Sequence, residues 1–122
     1  MTFLSQITLA ETRIRPHIRT TYLEPAHHYS QLGRANVYVK LENLQHTNSF
    51  KLRGALNKLL SLSESERGRG VVTASTGNHG AAVAYALRQV GASGTIFVPE
   101  NASPTKVANI RRLGGTVRFH GH

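Results

Sequence analysis

The 122-residue sequence contains no cysteine, no aspartate and no tryptophan. Without cysteine there is no disulfide framework, thiolate zinc site or thiol catalysis. The acidic side chains are six scattered glutamates, so the paired carboxylates of a glycosidase cannot be identified. No apolar run reaches the ~18–20 residues of a membrane span, and the N-terminus has no secretory signal. We therefore predict a cytoplasmic protein of about one domain's length with no membrane partner.

Negative charge is scarce, since 15 Lys and Arg residues give a net charge of +9. The basic residues are spread along the chain, form no run of five, and do not interleave with aromatic side chains. We predict no nucleic-acid partner, although a basic nucleic-acid-binding module with salt-sensitive binding stays open as an alternative. An anionic small ligand, or an acidic part of a longer chain, would explain the charge as well. Histidines offer pairs but no third ligand, so no metal site is predicted.

The first part of the chain predicts short elements. The capping-box spacing of TLAE predicts a helix from about residue 9 to Arg15, ending near Pro16. RTTYLEPA is typical of extended backbone, and HHYSQLG predicts a short helix closed by Gly33.

From residue 36 onward, strand and helix patterns alternate. The predicted strands are NVYVKLE, GVVTAS (apolar and buried), GTIFVP and GGTVRFHGH, and SESERGRG is predicted to be an exposed loop. The helices between them begin at Asn48 or Ser49, after TGNHG, and at Ser103 followed by Pro104; Gly91 ends the second. This β-α-β-α-β-α-β order predicts the α/β class, a parallel sheet with right-handed crossovers and helices on both faces.

One lysine, Lys51, stands in the first turn of the helix predicted within LQHTNSFKLRGALNKLL, residues 44–60. A structural ammonium gains little there, because a helix N-terminus carries positive partial charge. A lysine that attacks a carbonyl must be the neutral amine, and the helix terminus together with Arg53 favours that form. On the residues alone, a solvated surface lysine and a reactive lysine both stay open.

A second polar cluster, STGNHG, lies between a predicted buried strand and the following helix. Ligands of open α/β sheets bind at such positions, and the backbone N–H groups and helix dipole favour an anion. The alternative is a polar turn that caps the helix. The cluster is neither a dinucleotide fingerprint nor a Walker loop. Its donors and glycines are Ser75, Thr76, Asn78, His79, Gly77 and Gly80, the glycines permitting close approach.

Taken together, KLENLQHTNSFKLRGA and ASTGNHG resemble the fold-type-II pyridoxal-phosphate enzymes, specifically the threonine/serine dehydratase and serine racemase group. The resemblance runs from the first predicted helix to the last residue. It implies pyridoxal 5′-phosphate as cofactor, a small amino acid as substrate, and a homo-oligomer in the full-length form.

The resemblance also implies roles for individual residues. Lys51 matches the lysine that binds the cofactor covalently and later moves the α-proton, and Phe50 matches its aromatic neighbour. Asn78 matches the asparagine that hydrogen-bonds the cofactor's 3′-oxygen. The substrate-carboxylate loop is matched by Ser75, Thr76, Gly77 and His79.

The implied reaction is α,β-elimination, which converts L-threonine or L-serine to a 2-oxo acid and ammonia. A serine racemase-type enzyme is the alternative within the group, where a hydroxyl at the position of Thr76 returns a proton to the opposite face. Thr76 keeps the hydroxyl but adds a methyl group, which favours a dehydratase.

The same resemblance divides the chain into residues 1–40, a segment of the large domain, and residues 41–122, the small α/β domain. The family's glycine-rich phosphate-binding segment lies further along the chain, and no glycine run follows Gly114 and Gly115 here. We therefore expect the 122-residue chain, as the N-terminal part of such an enzyme, to be weakly active or inactive. A non-catalytic truncated relative that acts as a binding protein stays open.

Overall fold

The computed structural model describes residues 2–122. Helices and strands alternate along most of this range, with short 3-10 turns at Arg15–His17 and Glu42–Leu44. The helices are α1 (Phe3–Ile14), α2 (His27–Gly33), α3 (Lys51–Ser61), α4 (Glu64–Gly68), α5 (Asn78–Val90) and α6 (Pro104–Arg112). The strands are β1 (Leu23–Pro25), β2 (Tyr38–Lys40), β3 (Val71–Ala74), β4 (Gly94–Val98) and β5 (Thr116–Phe119).

The central sheet is parallel, with strand order β3-β4-β5. Val71 pairs with Gly94 at one end of the register, and Val98 pairs with Phe119 at the other. Helices α5 and α6 form the two crossovers between neighbouring strands. The predicted α/β class with a parallel sheet is therefore confirmed.

The strand predicted at NVYVKLE forms, but the prediction that it begins the parallel series is wrong. Strand β2 pairs antiparallel with β1, with Leu23 opposite Lys40, in a separate two-stranded sheet. All three β2 residues are exposed. Only the short helix α2 separates β1 from β2, so the chain folds back on itself before it reaches the central sheet.

Both crossover helices lie on the same face of the central sheet, so the prediction of helices on both faces is wrong for residues 2–122. Right-handed crossovers between strands that are sequential neighbours place their helices on one side. Ile96 and Val98 of β4 are fully buried on that face with Ile110 of α6. On the opposite face, Val72 is 71% exposed, so β3 is apolar but half-covered rather than buried as predicted.

Helix α5 lies at the centre of the molecule, between α3 and the sheet. Its residues from Gly80 to Leu87 are all buried, and most are glycine or alanine. Leu52, Leu56 and Leu59 of α3 supply large apolar side chains to the same core. Small side chains on α5 let two layers approach it closely. The predicted end of this helix at Gly91 is confirmed, with φ 64°.

Two predicted boundaries are wrong near the surface. Helix α1 begins at Phe3, because the Thr2 hydroxyl caps it by accepting the Ser5 N–H at 3.2 Å. The Thr8 hydroxyl, expected as the cap, donates to the Leu4 carbonyl one turn earlier. The segment expected as a loop forms α4 instead, since Ser63 and Glu66 complete a capping box. Across residues 2–122, no helix is both long and apolar enough to cross a bilayer.

Candidate active site

The first turn of α3 presents Phe50 and Lys51 at the surface. Lys51 is the first helical residue and is exposed, and its Nζ lies 5.0 Å from the centroid of the Phe50 ring. Phe50 is the N-cap, with no side-chain capping bond, so the predicted cap at Asn48 or Ser49 is wrong. Asn48 instead turns the chain with φ 56°, and its N–H donates to the Gln45 carbonyl at 2.9 Å.

Two hydroxyl groups flank this left-handed turn. Thr47 and Ser49 are 6% and 7% exposed, and their hydroxyl oxygens find no hydrogen-bond partner within residues 2–122. Buried polar atoms are nearly always paired in native proteins, and each exception calls for an explanation. The turn before Lys51 therefore retains unused hydrogen-bonding capacity.

The Ser75–Gly80 loop follows β3 directly and opens α5. Ser75 fixes the loop, because its N–H donates to the Phe97 carbonyl at 3.0 Å. Its hydroxyl oxygen accepts the N–H groups of Gly77 at 3.3 Å and of Gly80 at 3.0 Å. Gly80 packs closely against the protein, since an added Cβ would lie 3.0 Å from the Ser75 carbonyl oxygen and 3.3 Å from Ile96 Cγ2.

Backbone donors remain unused in the same loop. Within the described residues, the N–H groups of Thr76, Asn78 and His79 donate to no protein acceptor. The side chains of these three residues are exposed. Unpaired N–H groups at the positive end of a helix dipole favour a negatively charged group. The anion site stays a prediction, and these three N–H groups are the donors that it would use.

The two clusters begin helices that pack against each other, α3 and α5. His46, just before the turn, stacks on Tyr85 of α5 with ring centroids 5.2 Å apart and an angle of 14° between the rings. Burial, with a smaller contribution from Arg19, lowers the pKa of His46 and favours its neutral form. In the part of the chain that the structure describes, no hydrogen bond joins Phe50 or Lys51 to the Ser75–His79 loop.

Arg53 forms an ion pair that the sequence analysis missed. Its Nε and Nη2 each donate to one carboxylate oxygen of Glu42 at 2.8 Å. Hydrogen bonding from Arg53 lowers the pKa of Glu42 and raises that of Arg53. The Glu42 carboxylate neutralises the charge of the Arg53 guanidinium. The prediction that this charge favours a neutral amine at Lys51 therefore loses its basis. No local spacing signals such a pair, since it forms across a turn.

Gln45 is a second residue that the sequence analysis missed. Its side chain is fully buried and accepts the Arg19 N–H at 3.0 Å while donating to the Arg19 carbonyl at 2.7 Å. The Arg19 guanidinium donates to the Leu44 carbonyl. Glutamine in a polar turn looks like a solvated residue, so its sequence context gave no signal. Across the described range, no cluster of three metal-ligating side chains occurs.

Comparison with known proteins identifies the family. Residues 14–122 match the family described as pyridoxal-phosphate dependent enzyme. The chain belongs to this family. The predicted resemblance to fold-type-II pyridoxal-phosphate enzymes is therefore confirmed, and the predicted cofactor is confirmed as the cofactor of the family.

Individual members of the pyridoxal-phosphate family show similarity over nearly the whole chain. A Sinorhizobium fredii protein named as a threonine dehydratase is 47% identical over 97% of this chain, which spans 36% of that protein. The L-threonine ammonia-lyase of Geobacter sulfurreducens is 41% identical over 92% of this chain and 28% of its own length. Serine racemase from Dictyostelium discoideum superposes with a TM-score of 0.90 at 40% identity, covering 97% of this chain and 39% of that one. The chain spans about a third of the length of these relatives.

The donor set fits the family cofactor. Pyridoxal phosphate carries an aldehyde, a phenolic oxygen and a flat ring, which call for an amine, a hydrogen-bond donor and an apolar contact. Lys51 offers an exposed amine beside the half-open Phe50 ring, and Asn78 offers an exposed amide at the start of α5. The unpaired N–H groups of Thr76, Asn78 and His79 suit the carboxylate of an amino acid.

Proposed function

We propose that this chain carries the lysine and the substrate-carboxylate loop of an amino-acid dehydratase that acts on L-threonine or L-serine. The observation that carries the proposal is the set of unpaired N–H groups in the Ser75–Gly80 loop, at the start of a helix packed against the one that begins at Lys51. Relatives named for threonine dehydratase and ammonia-lyase activity support the substrate class.

The proposed binding roles follow from the groups that each residue exposes. Lys51 holds pyridoxal phosphate covalently, Phe50 contacts the cofactor, and Asn78 donates to its 3′-oxygen. The loop of Ser75, Thr76, Gly77 and His79 holds the substrate carboxylate. Ser75 contributes by keeping the loop in shape, because its hydroxyl oxygen already accepts two backbone N–H groups.

The proposed chemistry is an α,β-elimination. When bound, pyridoxal phosphate withdraws electrons from the substrate's α-carbon and makes the α-proton acidic. Lys51, freed when the substrate's amino group takes its place on the cofactor, would take that proton as the neutral amine. It would return the proton to the β-hydroxyl group, so that the Cβ–O bond breaks and water leaves. An enamine is released, and addition of one water converts it to a 2-oxo acid and ammonia. The loop's N–H groups hold the carboxylate so that the α-proton faces Lys51.

Lys51→Ala tests this assignment directly. We expect the purified protein, given pyridoxal phosphate, to form a borohydride-trappable adduct that peptide mass mapping places on Lys51. The variant should lose this adduct, and in the full-length protein it should also abolish production of 2-oxo acid from L-threonine and L-serine.

Lys58→Ala is the matched control, since Lys58 is an exposed lysine on the same helix. It should leave both the Lys51 adduct and 2-oxo acid production intact. An adduct spread evenly over Lys40, Lys51, Lys58 and Lys106 would contradict the proposal.

A serine racemase is the second candidate, supported by the Dictyostelium discoideum structure and by the hydroxyl of Thr76. A racemase would return a proton to the opposite face of the α-carbon instead of expelling the hydroxyl. Formation of D-serine from L-serine, lost in Thr76→Val and retained in Thr76→Ser, would favour this candidate. Formation of pyruvate alone favours the dehydratase.

We also propose that the full-length protein forms a homo-oligomer. We further propose that its division into a large and a small domain falls near residue 40. Exposed apolar side chains on α1, including Phe3 at 78% and Leu4 at 73%, support an interface. The separate β1–β2 sheet supports the division, because residues 1–40 contribute no strand to the central sheet in the described range.

A further inference from the structure

The Glu42–Arg53 pair brackets the segment that leads to Lys51. Glu42 begins the 3-10 turn Glu42–Leu44, and Arg53 lies in the first turn of α3, two residues after Lys51. Between them lie the left-handed Asn48 and the buried, unpaired hydroxyls described above. The pair therefore closes the loop from Glu42 to Arg53, and Lys51 lies two residues before the end of that loop.

The Glu42–Arg53 contact has a restricted geometry. Both donors belong to one planar guanidinium, and both reach one carboxylate at 2.8 Å, so the pair fixes orientation as well as distance. Its side chains are only 29% and 15% exposed. By comparison, the pair between Glu11 of α1 and Arg15 of the adjoining 3-10 turn lies open to solvent.

The pair is also anchored to the N-terminal part of the chain. The buried Thr21 hydroxyl donates to Glu42 Oε1 at 2.7 Å. Lys40 Nζ donates to the Thr21 carbonyl at 2.6 Å. Glu42 thus joins the segment around residue 21 to the first turn of α3. A displacement of that segment would therefore be transmitted to the helix that carries Lys51.

We propose that Glu42 and Arg53 are positioning residues that fix the first turn of α3 and thereby direct the Lys51 amine toward its reaction partner. The inference rests on the proposed function, because it assigns the pair a role in the reaction of that lysine. As positioning residues, Glu42 and Arg53 touch neither substrate nor cofactor; both act through the backbone of the turn.

The test compares lysines within one protein. The purified protein is treated with pyridoxal phosphate for short times, trapped with borohydride, and mapped for labelling of Lys51 relative to Lys58. Lys58 lies two turns further along the same helix and is also exposed, so it reports general lysine reactivity and folding. The measured quantity is the labelling ratio, independent of catalytic activity.

We expect Glu42→Ala and Arg53→Ala each to lower this ratio by about tenfold or more, since small misplacements of reacting groups carry costs of that size. The double variant should lose no more than the single ones, because both remove the same contact. Arg53→Lys, which keeps the charge and loses the fork, should fall between Arg53→Ala and the wild type and covers the case in which an alanine variant fails to fold.

Asn57→Ala is the control for general loosening of α3. It removes the hydrogen bond from Arg13 at 2.5 Å, which ties α1 to α3, and leaves the Glu42–Arg53 pair intact. The labelling ratio should stay within about twofold of the wild type in this variant, because the two contacts share no partner.

The outcomes separate the two proposals. If wild type shows no preference for Lys51, both the proposed function and this inference are overturned. If wild type prefers Lys51 and Glu42→Ala, Arg53→Ala and Arg53→Lys keep that preference, only the positioning role is overturned. A ratio that falls equally in Asn57→Ala would also overturn it, since loosening of the helix would then suffice.

Discussion

Two glycines show how differently one residue type is used in this chain. Gly94 begins β4, where an added Cβ would lie 2.6 Å from Leu87 Cδ1 and 2.7 Å from the Val71 carbonyl oxygen. Gly54 lies inside α3, where an added Cβ would meet nothing within 4 Å. The first glycine is required by close packing between α5 and the sheet. The second costs the helix backbone entropy with no packing in return.

Substitution by alanine should change the free energy of unfolding in opposite directions at Gly94 and Gly54. Gly94→Ala should lower the free energy of unfolding by about 1–3 kcal/mol, because the new methyl group overpacks the junction of β3 and α5. Gly54→Ala should raise it by about 1 kcal/mol through helix propensity. Urea unfolding followed by circular dichroism measures both. Equal effects at the two positions would contradict the packing argument.

At the residue scale the sequence predicted where the candidate groups lie, and their roles in binding and chemistry stay predictions. Lys51 and the Ser75–His79 loop were recognisable because each occupies a position with its own chemistry, the first turn of a helix or the end of a strand. The N-cap at Phe50 was not, because backbone dihedral angles rather than a side-chain acceptor define it. Glu42 was missed because its partner lies eleven residues away across a turn.

At the scale of elements, the Glu42–Arg53 pair should make stability depend on pH. Hydrogen bonding from Arg53 lowers the pKa of Glu42 below its ordinary value of 4.5. A carboxyl group whose folded pKa is lowered contributes stability above its unfolded pKa, and the contribution is lost as pH falls through the folded pKa. The free energy of unfolding of the wild type should therefore exceed that of Glu42→Gln by about 1.5–3 kcal/mol near neutral pH, a typical value for hydrogen bonds to charged groups.

Unfolding by urea at a series of pH values checks this prediction. The difference between wild type and Glu42→Gln should be constant above pH 4.5 and should disappear in more acidic solution. A difference that persists at the acid end would mean that the glutamine disturbs packing rather than removing a charge.

Element types were predictable from periodicity, whereas strand partners were not. The alternation of Val37, Val39 and Leu41 correctly indicated a strand, but periodicity does not say which neighbour it will find. Strand β2 pairs with β1 because α2 returns the chain to it, and that is a property of tertiary structure. The capping box of Ser63 and Glu66 that begins α4 is visible in the sequence. The helix was nevertheless not predicted, because it is short.

Over the whole molecule, the two faces of the central sheet differ in burial. Ile96 is fully buried beneath α5 and α6, whereas Val72 on the other face is 71% exposed. In the 122-residue chain, Ile96→Ala should cost about 2–5 kcal/mol, the range for large-to-small changes in a core. Val72→Ala should change the free energy of unfolding by less than about 0.5 kcal/mol. Thermal and urea unfolding measure both, and a large loss at Val72 would show that the open face is covered in solution.

Helix α5 has consequences for how the molecule can move. Eight successive residues, Gly80 to Leu87, are enclosed on every side, so the helix cannot rotate about its axis or slide without collision. Helix α3, α5 and the sheet therefore behave mechanically as a single rigid body that carries both Lys51 and the Ser75–Gly80 loop. The spacing between the starts of α3 and α5, where Lys51 and the loop lie, is set by this body.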